Sequence, residues 1–149
     1  MQAPTQKLFW IQRDSRPIEE KGKQGFIHVE PDINSRNFTA VADEGPSPLQ
    51  AFLVNFGRYV FSDEVIRLLG EMGLRPGLPT ELADLSKSNP SSRELAGCLP
   101  AVALGDSYQG GLGNLLVVFL AGDATGRALS LHWMGGGWND DYWFLAFRK

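Results

Sequence analysis

The chain has 149 residues, enough for one domain with a sizeable core. Hydrophobic residues make up 43% and charged residues 21%, a balance that excludes compositional disorder. The formal net charge is -3, with Lys and Arg scattered, which argues against a nucleic-acid binder, since that needs a basic face to displace counterions.

In chain order, residues 7–12 (KLFWIQ) read as a first strand. Residues 13–24 are polar, hold Pro17 and Gly22, and read as a loop. Residues 25–30 alternate, with Phe26, His28 and Glu30 on one face and Ile27 and Val29 on the other, a short strand that Pro31 ends. Residues 35–48, rich in Asn, Asp, Gly and Pro, read as a long surface loop. An apolar stretch then leads into the clearest helix, residues 63–72. Ser62 is its expected N-cap, Asp63 and Glu64 face the positive end of its dipole, and Val65, Ile66, Leu68, Leu69 and Met72 form a stripe at helical spacing before Gly73. Thr80 is read as the cap of a short helix through Leu85, and Ser91 with Glu94 as a capping box.

The last third alternates strands and polar turns: residues 99–105, 114–122, 127–134 and 142–149, with turns at 123–126 and 135–141. The expected architecture is a single α+β domain over residues 1–149. It is a mostly antiparallel sheet with a C-terminal β-meander and one main amphipathic helix, residues 63–72. A lone cysteine, Cys98, rules out an intrachain disulfide and fits a reducing compartment. No run approaches the roughly 18 apolar residues a bilayer span needs, and residues 1–17 lack the apolar core of a signal peptide. A soluble cytoplasmic protein with no membrane partner is expected.

The stretch LPAVALGDSYQGG, residues 99–111, carries Gly105-Asp106-Ser107, and this resembles the nucleophile block of the GDSL/SGNH-type esterases. The resemblance implies Ser107 as nucleophile, a histidine base and an orienting aspartate. It is confined to that block. The family's histidine belongs to an Asp-x-x-His block far downstream, whereas only 42 residues follow Ser107, and their single histidine, His132, has Leu129 three places before it. The three glycines after Ser107 also disfavour the helix that a nucleophile elbow opens. Ser107 is therefore read as a hairpin-turn residue. A small serine hydrolase using Ser107, His132 and Asp106 or Asp123 is the alternative.

Residues 132–144, HWMGGGWNDDYWF, hold three tryptophans, three consecutive glycines and an Asp pair. Trp133, Trp143 and Phe147 are assigned to the core. Trp138, Asn139, Asp140, Asp141 and Tyr142 are the candidates for a contact surface, where aromatic rings beside carboxylates suit a protein or a sugar. His132, Asp123, Asp140 and Asp141 offer metal-ligand chemistry, but without metal-binding spacing they read as solvated turn carboxylates, and no metal or other cofactor is expected. Residues 110–114 (GGLGN) lack the lysine and following helix of a phosphate loop. Cys98 reads as a small buried hydrophobe rather than as a nucleophile paired with His28.

Residues 52–74, FLVNFGRYVFSDEVIRLLGEMGL, resemble a piece of some bacterial immunity proteins of polymorphic toxin systems, a strand, a serine helix start and an amphipathic helix. The resemblance implies a small acidic cytosolic protein that binds and blocks a toxin, and it carries no catalytic residues. The leading expectation is a non-catalytic interaction protein of the inhibitor, immunity or adaptor kind that binds another protein. The serine hydrolase is one alternative. A glycan-binding or small-ligand module using Trp133 and Trp138 is the other.

Overall fold

The structure is a computed structural model that describes residues 3–41 and 47–149. The middle of the expected 35–48 loop thus lies outside the described residues. Among the described residues, eight strands form one mixed, mostly antiparallel sheet, so the α+β reading holds. The strands are β1 (Thr5–Ile11), β2 (His28–Val29), β3 (Leu49–Asn55), β4 (Leu74–Pro76), β5 (Ala101–Gln109), β6 (Leu115–Gly122), β7 (Arg127–Trp133) and β8 (Trp143–Arg148). Four helices accompany them: α1 (Ile18–Lys21), α2 (Ser62–Glu71), α3 (Pro79–Ser88) and α4 (Arg93–Ala96). The sheet order is β1-β3-β8-β5-β6-β7-β2, with β4 also paired to β8. The β5–β6–β7 run is the expected meander. The chain then crosses to β8, which runs parallel to β5 and antiparallel to β3.

Period-two alternation sorts the central strands onto two cores. Ala51 and Leu53, Ala101 and Ala103, Val118 and Leu120, and Leu145 and Phe147 face one side, together with Leu82, Leu85 and Leu95 from α3 and α4. Val54, Val102, Leu104, Val117, Phe144 and Ala146 face the other, with Val65 and Leu69 of α2. Strands apolar on both faces are what a sheet covered on both sides requires. No helix of the described residues is long and apolar enough to cross a membrane.

Five local expectations need correction. Residues 13–24 are not all loop, because α1 forms after Pro17 and buries Ile18 and Lys21. The strand expected over 25–30 shrinks to His28–Val29, which pairs parallel with β7 at Ala128 and Leu129, the flanking Ile27 and Glu30 N–H groups donating to the Arg127 and Leu129 carbonyls. The helix expected from Thr80 begins at Pro79 and runs on to Ser88, and Ser92 rather than Ser91 caps α4, its hydroxyl accepting the Leu95 N–H at 3.0 Å. Ser62 does not cap α2. It is the first helical residue, and its hydroxyl donates to the Met134 carbonyl at 2.6 Å.

Gly105-Asp106-Ser107 is not a turn either. It lies within β5, at a register break between Ala103 and Tyr108, and residues 110–114 make the turn. The break arises where β5 parts from β8. Gly77, just after β4, donates its N–H to the Leu145 carbonyl at 2.7 Å and accepts the Gly105 N–H at 2.8 Å, so the backbone at 76–77 lies between the two strands. A Cβ on Gly105 would sit 2.7 Å from the Gly77 carbonyl oxygen and 2.8 Å from that of Pro76. Backbone atoms cannot swing aside, so Gly105→Ala is expected to cost about 1–3 kcal/mol in urea-induced unfolding. The glycine serves strand packing, not a nucleophile elbow.

Candidate functional site

The loop between β7 and β8 is anchored from three directions. Val60 and Trp138 form an antiparallel bridge, with N–H to carbonyl distances of 2.9 and 2.7 Å. The Trp138 indole N–H donates to Ser62 Oγ at 2.8 Å, and the Ser62 hydroxyl in turn donates a hydrogen bond to the Met134 carbonyl. Asn55 donates its side-chain amide to the carbonyls of Asp140 (2.7 Å) and Tyr142 (3.0 Å). Trp138, expected at a contact surface, is fully buried. Its ring packs against His132 (centroids 4.4 Å apart), Tyr142 (4.9 Å) and Phe144 (6.0 Å), so it is the core of the loop. Asn139, Asp140 and Asp141 are exposed, and the Asn139 side chain accepts the Asp141 N–H in a tight Asx turn. Tyr142 is half-buried.

Other aromatic rings are presented outward. Tyr59 is 56% exposed, Phe61 52% and Trp133 52%. The three consecutive glycines explain their arrangement. A Cβ on Gly137 would overlap the Tyr59 ring, and Cβ atoms on Gly135 and Gly136 would lie 3.0 and 3.2 Å from the Trp133 indole. The rings therefore lie against bare backbone on either side of the loop. Phe61 meets Tyr59 edge-on at 5.4 Å. Of the aromatics assigned to the core from sequence, Phe147 is buried, Trp143 is half-buried and Trp133 stands outside. Tyr59 and Phe61 were missed, although they flank buried Val60 in strict alternation.

The hydrolase residues are not brought together. Ser107 and His132 lie on β5 and β7, with β6 between them, a separation of roughly 10 Å at ordinary strand spacing. His132 Nδ1 lies 2.9 Å from the Trp133 carbonyl, which can only accept, so the imidazole donates there. The Asp106 carboxylate accepts the backbone N–H groups of Ala40 (3.0 Å) and Ser107 (2.8 Å). Asp123, in the β6–β7 turn, accepts from Thr125 and Gly126, and the Thr125 hydroxyl above all holds its carboxyl below the ordinary value. Among the described residues, no three His, Cys, Asp or Glu side chains converge as a metal-ligand group. Cys98 is buried in the α3-side core, and burial pushes its thiol up. His28 is exposed on edge strand β2.

On the α3 side, a cluster unforeseen from sequence is buried beneath the surface. Lys21 and Asp84, 1% and 5% exposed at their side chains, pair at 3.0 Å, and Lys21 also donates to the Thr80 hydroxyl at 2.6 Å. Burial pushes the Asp84 carboxyl up to about 6, against the opposing pull of the Lys21 charge. Asp14 is held well below the carboxylate range, chiefly by hydrogen bonds from the Arg16 guanidinium, 2.6–3.0 Å away. Asp14, Arg16, Thr80 and Asp84 border a cavity of about 630 Å³. No family model matches the chain, and neither a curated protein nor a solved structure matches it.

Proposed function

We propose that the chain is a non-catalytic interaction protein, of the inhibitor, immunity or adaptor type, that binds another protein through the surface around residues 133–141. The observation that carries the reading is the trio Tyr59, Phe61 and Trp133, each more than half exposed around a three-glycine strip. Large rings held in place against backbone lose little freedom on binding, and aromatic anchors dominate many interfaces. Asp140 and Asp141 sit at the rim of this surface and would steer a basic partner. A toxin or effector in a bacterial cytoplasm is the partner class implied by the likeness of residues 52–74 to immunity proteins. The glycan-binding alternative loses one of its two rings, because Trp138 is buried.

The test compares proteins captured by the wild-type chain, by a Tyr59→Ser/Phe61→Ser/Trp133→Ser variant, and by Leu112→Ser, which alters an exposed apolar residue in the β5–β6 turn. A partner held by the wild type and by Leu112→Ser should bind the triple variant at least about 30-fold more weakly, the scale of losing one strong anchor. A partner retained by all three chains in titration would overturn the surface assignment.

A further inference from the structure

We propose that the outer edge of β1 receives an extended segment of another protein as an added antiparallel strand, with a carboxylate side chain set opposite Lys7. The two edges of the sheet differ. β2, at one end, is two residues long and Pro31 follows shortly after it, which blunts that edge. β1, at the other end, runs in unbroken register with β3 from Thr5 to Ile11 and contains no proline. In an antiparallel ladder the N–H and C=O of one residue point to the same side. The Arg13 N–H reaches Ser47, just before β3, whereas the Gln12 N–H and the Trp10 carbonyl meet Ser88 Oγ and the Asn89 amide at the end of α3. The odd-numbered residues of β1 therefore pair with β3, and the even-numbered ones point outward. Ser88 and Asn89 close this edge at Trp10 and Gln12, and among the described residues no strand pairs with it at Gln6 and Leu8. The Leu8 and Trp10 side chains beside the open groups are 45% and 53% exposed.

A second copy of the chain is a poor match for this edge. A two-fold pairing centred on Lys7 sets the two ammonium-bearing residues directly opposite, roughly 4.5 Å apart at Cα, where like charges repel. One centred on Leu8 needs the Trp10 carbonyl that Asn89 already holds. One centred on Gln6 sets Leu8 against Pro4, which has no N–H to give. Lys7 is exposed and has no ion-pair partner among the described residues. A different chain with a carboxylate at that position replaces the repulsion by attraction, and an apolar residue next to it covers Leu8 on the other face. Backbone pairing then supplies the affinity, and the alternating side chains supply the choice of partner. β1 and β7 stand at opposite ends of the sheet order, so this edge is tested separately from the surface around Trp133.

The experiment titrates Ac-Thr-Val-Glu-Val-Thr-NH2, and the same peptide with Lys in place of Glu, into the isotope-labelled chain. Amide shifts and hydrogen exchange are read by NMR in the wild type, Lys7→Glu and Leu8→Pro. The glutamate peptide should saturate in the millimolar range, slow exchange at the Gln6 and Leu8 amides, and bind at least about threefold more tightly than the lysine peptide. Lys7→Glu should reverse that preference. Leu8→Pro removes an outward N–H and spares the β3 pairing, so it should weaken the glutamate peptide at least about tenfold. No saturable change at Gln6 and Leu8, equal binding of the two peptides, no reversal in Lys7→Glu, or undiminished binding by Leu8→Pro would each overturn the proposal. Protection of the Gln6 and Leu8 amides that grows with protein concentration in the absence of peptide would assign the edge to a second copy and overturn it as well. Should Leu8→Pro fail to fold, the charge reversal at Lys7 decides the matter alone.

Discussion

Trp138→Ala is expected to lower unfolding stability by about 3–5 kcal/mol, among the largest losses for any single truncation in this chain. The fully buried indole packs against His132, Tyr142 and Phe144, so truncation removes its contacts with all three rings. The substitution also leaves Ser62 Oγ without its indole donor. Trp138→Phe should recover most of the packing and lose mainly that hydrogen bond, roughly 1 kcal/mol. Asp141→Ala, at an exposed position in the same loop, should change stability by no more than about 0.5 kcal/mol. Chemical denaturation of the three variants checks the ranking. A loss for Trp138→Ala as small as that for Asp141→Ala would mean that the loop does not depend on its central ring.

The second large effect is expected at Lys21. Lys21→Met should cost about 3–5 kcal/mol at neutral pH, because it leaves the Asp84 carboxylate buried without its cation. The sign of the pH dependence follows from protonation. Asp84 titrates higher in the folded chain than in the unfolded one, so the folded state holds the extra proton between about pH 4 and 6, and its contribution falls as pH rises through that window. Removing Lys21 raises the folded value further and extends the loss upward. The deficit of Lys21→Met relative to the wild type should therefore be largest near pH 7 and shrink towards pH 5. Urea unfolding at pH 5, 6 and 7 reads this out, and a deficit independent of pH would show that Asp84 is not the group left stranded.

These residues mark where sequence pattern stops being informative. Strand alternation and the α2 stripe could be read locally, because each depends on neighbours two to four places away. The expected helix 63–72 and the observed Ser62–Glu71 differ by one residue at each end. Lys21 and Asp84 are 63 positions apart, and nothing near either one announces the other. The cavity draws on residues 13–18, 38–41 and 79–84, three stretches that look like ordinary loop and helix start when read separately. Trp138 fails for another reason. A tryptophan between glycines and acidic residues has the composition of a surface turn, and it is drawn inside by partners remote in sequence, the bridge to Val60 and the Ser62 hydroxyl. Ser62 shows the same limit, since its hydroxyl suits a helix cap but finds better partners 72 and 76 residues away.

The position of β8 carries a consequence for synthesis on the ribosome. The strand inserted between β3 and β5 is contributed by residues 143–148, beginning 88 positions after β3 ends at Asn55. Until that segment has emerged, β3 and β5 face each other across a missing strand, with open backbone edges and the apolar faces of both cores uncovered. A sheet closed by so late and so distant a segment gathers slowly and exposes sticky intermediates meanwhile. In a nascent chain those two edges stay unpaired until residues 143–148 have emerged to lie between them.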